Sequence, residues 1–218
     1  MKFKCVIFDL DGTLIDSLQG ILDACNDTFD QLGLNIHKGI EEAKYFIGAG
    51  ATVFAKRAME GKLIPPGKEQ EIMDLFLKNY ERTQVISAKP FPGIIDFLTK
   101  LKAKGYKLCI ASNKPQKLLK PIVKQLFGDD LFDIAYGQFP NAPEKPDPYI
   151  VNKIIDTLNV NKADCVYVGD SEYDVETAIN SGLESIIVKY GYGFYDKPWI
   201  KKATYTVDSV NELNELLS

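Results

Sequence analysis

The stretch Cys5-Val6-Ile7-Phe8-Asp9-Leu10-Asp11-Gly12-Thr13 decides how the rest of the chain is read. Its four consecutive apolar residues, mostly β-branched or aromatic, predict a short strand buried on both faces. The run stops at two carboxylates spaced i and i+2, followed by a glycine and a hydroxyl residue. In an open parallel sheet the ligand crevice lies beyond the carboxyl ends of the strands, where this spacing delivers Asp9 and Asp11. Strand geometry turns both side chains to one side and Leu10 to the other. Two adjacent carboxylates repel unless a divalent cation or a shared proton relieves them. A plain Asp-Gly surface turn would use the same letters, so the other predicted strand ends have to decide.

Composition sets the bounds. The 218 residues provide one large domain or a core with a smaller insert, at 45% hydrophobic and 26% charged content, ordinary for a soluble globular protein. A net charge of −4 and a pI near 5.2 argue against a nucleic-acid partner, which needs a basic face. No stretch approaches the ~18 apolar residues of a membrane helix. Lys2 and Lys4 precede too short an apolar run for a secretion signal, so a cytoplasmic setting is expected. The four cysteines share no metal-type spacing and are expected to be buried free thiols. Nothing in the pattern sets an oligomeric state.

Along the chain, Ile21, Ala24, Cys25, Phe29 and Leu32 have helical spacing, which Gly33 ends. Further helical segments are expected at 40–47, 51–60 and 68–82, with no convincing strand between Leu18 and Thr83. This reads as an inserted helical domain over 17–83, within a core formed by 1–16 and 84–218. Lys89-Pro90-Phe91-Pro92-Gly93 reads as a stiff return linker. Strand–helix alternation follows: strands at 107–111, 134–136, 165–168, 185–188 and 205–207, and helices at 94–104, 118–127, 149–158, 175–181 and after Val210. Pro121 counts against the second of those helices. The expected class is α/β: a Rossmann-like parallel sheet with helices on both faces and an all-helical insert.

Three further groups of residues fall where core strands end. Ser112 and Asn113 follow the strand ending at Ala111. Asp170 follows Gly169, with Asp174 four residues on. Lys145 sits in a proline-stiffened loop, Pro143-Glu144-Lys145-Pro146-Asp147-Pro148. Each alone is more simply a turn, an N-cap or a solvated charge. Their joint placement beside Asp9 and Asp11 makes a site for an anion the better reading.

Together, Phe8-Asp9-Leu10-Asp11-Gly12-Thr13-Leu14, Ala111-Ser112-Asn113-Lys114, Lys145-Pro146 and Val168-Gly169-Asp170-Ser171-Glu172-Tyr173-Asp174 resemble the four signature motifs of the haloacid dehalogenase-like phosphohydrolases. The helical insert resembles the cap of their phosphoglycolate phosphatase-like branch. The resemblance implies a Mg²⁺-dependent phosphatase. Asp9 would be the nucleophile and Asp11 the general acid and base. Magnesium would be held by Asp9, Asp170 and the backbone carbonyl of Asp11, with Asp174 orienting that shell. Ser112 and Lys145 would clamp the phosphoryl group, Gly12 and Asn113 would donate backbone N–H groups, and Thr13 would orient the loop.

The implied substrate is a small phosphorylated metabolite, with phosphoglycolate the leading candidate and a broad-range phosphatase or pyrophosphatase next. In this branch the cap loop commonly reads aromatic–aliphatic–Gly–Asn–Gly. Here it is Phe46-Ile47-Gly48-Ala49-Gly50, with alanine at Ala49. Lys44, Lys56 and Arg57 are candidate cations for a substrate carboxylate. A phosphosugar mutase would share Asp9 and Asp11, a dehalogenase would not need Asp11, and a non-enzymatic binding module would not need every charged group. His37, the single histidine, lies in the insert, so a Ser-His-Asp triad is unavailable. Gly48-Ala49-Gly50 lacks the rest of a dinucleotide fingerprint.

Overall fold

The computed structural model describes residues 2–34, 37–44, 57 and 67–217. The chain divides into two compact units, 1–16 with 90–218, and 17–89.

The first unit is built on a six-stranded sheet. Its strands are β1 (Cys5–Phe8), β4 (Lys107–Pro115), β5 (Ile134–Gln138), β6 (Cys165–Gly169), β7 (Glu184–Val188) and β8 (Tyr205–Val207), in the order β5-β4-β1-β6-β7-β8. All pairings are parallel, as the α/β reading expects. Strand β1 lies at the centre, in register with β4 (Ile7 opposite Cys109) and β6 (Phe8 opposite Val168). All four of its residues are fully buried, which is why the stretch reads as unbroken apolar sequence. The period-2 alternation sorts them by face. Cys5 and Ile7 pack with Ile150, Val151 and Ile154 of the helix Tyr149–Leu158. On the opposite face Phe8 meets Phe97 of the helix Ile94–Ala103 edge-on, with ring centroids 6.1 Å apart.

Two local expectations change. Lys89–Pro90 forms a short strand, β3, paired with β2 (Ile15–Asp16) in a separate two-stranded sheet. A sheet edge accommodates proline because no ladder N–H is required there. The helix Gln116–Phe127 runs through Pro121. Burial of Leu118, Leu119, Ile122 and Val123 outweighs the one lost backbone bond.

In the second unit the helices Leu18–Gln31 and Glu69–Ser87 pack together. Gly20 permits their contact, since a Cβ there would stand 3.2 Å from the Thr83 carbonyl. Buried Asn79 donates to Thr28 Oγ1 at 3.0 Å, and Thr83 Oγ1 donates to the Gly20 carbonyl at 2.6 Å. Because Glu69–Ser87 is one unbroken helix, the boundary expected after Thr83 falls inside it. His37 is exposed, 3.2 Å from Asp30. The segments expected at 51–60, and Phe46 to Gly50, lie outside the described residues apart from Arg57. No described helix is long and apolar enough to cross a membrane.

Candidate active site

The carboxyl ends of β1, β4 and β6 and the loop after β5 meet around Asp9, and the loop after β7 packs on Asp170 beside them. The Asp9 N–H donates to the Val168 carbonyl at 2.8 Å, extending the β1–β6 ladder one residue beyond the strand. The chain then turns sharply: Leu14 and Ile15 both donate to the Leu10 carbonyl, at 2.9 and 3.0 Å. Gly12 takes φ +90° in this turn, and a Cβ on it would lie 2.5 Å from Asp170 Oδ2. Glycine is therefore required for both conformation and space. Its N–H is engaged by the Ile15 carbonyl at 2.9 Å, so the backbone-donor role expected of Gly12 is replaced by one of close approach.

Asp9, Asp170 and Asp174 bring carboxylate oxygens within 4.8 Å of one another, and all three are buried. One cation stands among them. Lys145 Nζ lies 2.9 Å from Asp9 Oδ1 and 2.8 Å from Asp174 Oδ1. Its contact with Asp9 lacks hydrogen-bond alignment, leaving that buried oxygen open to a further ligand. Burial lowers the lysine's proton affinity, but the attraction of Asp174 and Asp9 overcomes this and holds it well above the ordinary value.

The carboxylates respond unequally. Burial pushes Asp9 up to about 6 against the pull of Lys145. Burial, followed by the charges of Asp174 and Asp9, drives Asp170 well above its ordinary value. Asp174 is also penalised by burial, yet Lys145 and Ser171 hold it below the usual range. The cause is its set of partners. Its Oδ1 receives Lys145 Nζ and the Tyr167 hydroxyl, while Oδ2 receives the N–H groups of Asp170 and Ser171 and the Ser171 hydroxyl. These donors use the capacity of a carboxylate. Asp170 has fewer: Thr13 Oγ1 at 3.1 Å and the Tyr192 N–H at 2.8 Å. Thr13 thus holds Asp170 through its hydroxyl, a contact different from the loop-orienting role expected of it.

The position of Lys145 is fixed from β4. Asn113 Oδ1 accepts from the Lys145 N–H at 2.7 Å, and Asn113 Nδ2 donates to the Lys145 carbonyl at 3.2 Å. The amide therefore acts through its side chain, a use the sequence did not disclose. Ser112 is buried beside it, its Oγ accepting from the Lys114 N–H at 3.2 Å.

Residues beyond those expected also join. Tyr167 of β6 sets its hydroxyl 2.9 Å from the Ala111 carbonyl and 3.2 Å from Asp174 Oδ1, one proton serving either acceptor, and receives Lys145 Nζ at 3.0 Å. It looked like one more core aromatic. The loop after β7 packs against Asp170: a Cβ on Gly191 would stand 2.5 Å from the Asp170 Cβ, and one on Gly193 2.2 Å from its carbonyl. The Gly-Tyr-Gly spacing just past a predicted strand was the available signal. Lys114 places Nζ 3.2 Å from Asp11 Oδ1. Among the expected binding residues of the insert, Arg57 is helical and half-buried, whereas Gly48, Ala49 and Gly50 are outside the described residues. Lys44 pairs with Glu41 at 3.1 Å, a solvated helix ion pair, and Lys56 is outside the described residues.

Three clustered carboxylates face one ammonium, Lys145, and burial with the neighbouring carboxylates holds Asp9 and Asp170 above their ordinary values. Oxygen donors, an open buried oxygen on Asp9 and that excess of carboxylates fit a hard divalent cation. An anionic ester could lie beside an anionic nucleophile only with such neutralisation, and the strand ends supply it at one point. Fold and site thus fit one class of enzyme, a phosphohydrolase, with carboxylates gathered at the end of a parallel sheet.

Known proteins give the class its family. A family model described as haloacid dehalogenase-like hydrolase matches residues 6–188, and the chain belongs to that family. The chain is 33% identical to a phosphoglycolate phosphatase of Aquifex aeolicus, over 87% of this chain and 86% of that protein. It is 30% identical to another phosphoglycolate phosphatase from Colwellia psychrerythraea, over 96% and 95% respectively. The crystal structure of a predicted phosphoglycolate phosphatase from Haemophilus somnus superposes with a TM-score of 0.90 at 25% identity, covering 100% of this chain and 99% of that one. The protein is a phosphatase.

Proposed function

We propose that the protein hydrolyses a small anionic phosphomonoester with Mg²⁺, through a phosphorylated Asp9, and that phosphoglycolate is the substrate it favours. The observation that carries the mechanism is the convergence of three buried carboxylates, Asp9, Asp170 and Asp174, on the single ammonium of Lys145. The relatives named phosphoglycolate phosphatase support the substrate.

Asp9 and Asp170 would hold the cation, with the Asp11 carbonyl. Asp174, already saturated by protein donors, acts by fixing Lys145 and the amides of Asp170 and Ser171. When bound, magnesium supplies charge neutralisation and a fixed orientation for the phosphoryl oxygens. Ser112 and Lys145 bind the same group, and Lys145 keeps Asp9 ionised beside it.

The chemistry runs in two halves. An Asp9 oxygen forms a bond to phosphorus while the ester P–O bond breaks, and Asp11 gives its proton to the departing oxygen. Water then attacks the phosphorylated Asp9, Asp11 takes a proton from it, the bond to the Asp9 oxygen breaks and phosphate leaves. Selectivity beyond the phosphoryl group is assigned to the helical unit, inserted in sequence between Asp11 and Ser112.

The test is phosphate release from phosphoglycolate, phosphosugars and pyrophosphate, with Mg²⁺ and with excess chelator. The expected result is Mg²⁺-dependent release, fastest by kcat/KM with phosphoglycolate. Full activity in chelator would overturn the metal role. A higher kcat/KM with phosphosugars or pyrophosphate would overturn the substrate alone.

A further inference from the structure

Lys114 is the second buried lysine of the site, and the mechanism above gives it nothing to do. Its side chain is 1% exposed, while that of its partner Asp11 is 16% exposed. Nζ stands 3.2 Å from Asp11 Oδ1 and 3.5 Å from Oδ2. Burying an ammonium is costly unless an opposite charge meets it, so this pair is a deliberate local expense. It is also distinct from the Lys145 pair. Lys145 reaches Asp9 and Asp174, whereas Lys114 reaches Asp11.

A second observation says what the expense achieves. Asp11 is only two residues from Asp9, yet it is not one of the carboxylates whose oxygens cluster within 4.8 Å. A carboxylate recruited to a cation could not carry a proton to a leaving group. Lys114 comes from a different strand, β4, and engages that carboxylate. Its place beside Asn113, whose side chain grips the Lys145 loop, puts both lysines under the control of one strand end.

We infer that Lys114 is a positioning residue for proton transfer, holding the Asp11 carboxylate outside the cation cluster and available to the leaving oxygen. The inference rests on the reading of Asp11 as acid and base. In the first half-reaction the proton of Asp11 passes to the ester oxygen as the P–O bond breaks, and Asp11 becomes the anion that Lys114 faces. Lys114 faces the Asp11 anion in the resting protein and again as the proton departs, so it acts by keeping that carboxylate in place for the leaving oxygen. The consequence depends on the substrate. An alkyl alkoxide is a strong base and needs the proton, whereas nitrophenolate leaves without one. Loss of Lys114 should therefore penalise alkyl phosphates selectively, while a general disturbance of the site would penalise both.

The experiment compares full-length wild-type protein and Lys114→Met, with Mg²⁺, on phosphoglycolate and on p-nitrophenyl phosphate. It reads kcat/KM, which covers the steps through the first P–O cleavage and excludes breakdown of phosphorylated Asp9. The expected loss is about tenfold to a hundredfold on the alkyl ester and within about threefold on the aryl ester. Equal losses on the two esters would overturn the inference. Adding Lys114→Met to Asp11→Asn should change the alkyl rate by less than about twofold, because partners that act as a unit are not additive; full additivity would also overturn it. Lys114→Gln provides the same comparison if Lys114→Met fails to fold by circular dichroism. A wild-type protein that releases phosphate from neither ester would instead strike the phosphohydrolase reading beneath it.

Discussion

Near the beginning of β1, β4 and β6 stand Cys5, Cys109 and Cys165, and at or just beyond their far ends stand Asp9, the Asn113–Lys114 pair and Asp170. Both groups are buried, and both are polarisable or polar. Cys5 and Cys165 are direct cross-strand partners, and all three thiols are free. A hydrogen bond with Cys109 and burial push Cys5 up to about 12. Cys5 therefore stays neutral, and the three buried thiols pack as small apolar side chains. At the other end three carboxylates, Asp9, Asp170 and Asp174, face the one ammonium of Lys145, and the internal partners do not balance them. Burial alone does not distinguish a site from a core. What distinguishes the two ends is the charge that remains after the protein's own partners have been counted.

The largest effect should come from the charged end. Asp9→Asn removes the nucleophile and one unit of negative charge at nearly constant volume. Phosphate release should be abolished while circular dichroism stays native. Activity within about tenfold of wild type would break the assignment of that end as reactive.

Next in size is Lys145→Met. It strands Asp9 and Asp174 without their shared cation, and breaking a buried pair typically costs about 3–5 kcal/mol. Urea unfolding without metal checks this. Added Mg²⁺ should restore part of the loss in Lys145→Met, because the ion binds only the folded cluster. No restoration would tell against the residual-charge account.

A smaller effect isolates a carboxylate far from the site. Asp133 accepts from the Leu108 N–H at 3.0 Å and pairs with Lys102 at 2.7 Å and Lys107 at 3.0 Å. Partial burial raises its proton affinity, but these donors outweigh it and hold the group below its ordinary value. A depressed folded value means stability that is present above the unfolded pKa and lost as pH falls through the folded one. Asp133→Asn should cost about 1–2 kcal/mol at neutral pH, and the gap from wild type should close on acidification below about pH 4. A gap independent of pH would refute the ionic contribution.

The smallest effect sharpens the contrast from the thiol end. Cys109→Ala should leave kcat/KM within about twofold and cost about 1 kcal/mol in unfolding. Thiol-modifying reagents should label the native protein only at the rate of its opening. Rapid labelling of the folded enzyme would make the two ends more alike than their burial and charge suggest.

This contrast also sorts what the sequence disclosed. The parallel sheet and the placement of Asp9, Asp11 and Asp170 past strand ends were legible because apolar runs that stop at charges are local signals, whereas Ser112, expected past Ala111, lies inside the longer β4. Tyr167 was not, because an aromatic inside a strand looks the same whether or not its hydroxyl finds Lys145. Lys114 closed a motif with no role assigned to it, and it is the extension of β4 to Pro115 that places it in a buried strand. The commitment of the Gly12 N–H to Ile15 follows from a turn closed in space. Lys89–Pro90 read as a linker because strand pairing two residues long leaves no period to detect.

The glycines around Asp170 have a consequence for how such a protein tolerates change. Gly12, Gly191 and Gly193 touch this carboxylate or its backbone so closely that even one methyl group would collide. None of them holds a proton, a charge or a ligand. In a scan of every substitution they should nevertheless look as unforgiving as the aspartate itself, and a map built on reactivity alone would mistake them for chemistry. The tolerance of the catalytic centre is set by three hydrogens standing where side chains would be, and an engineer reshaping the loop after β7 inherits that clearance as a fixed dimension.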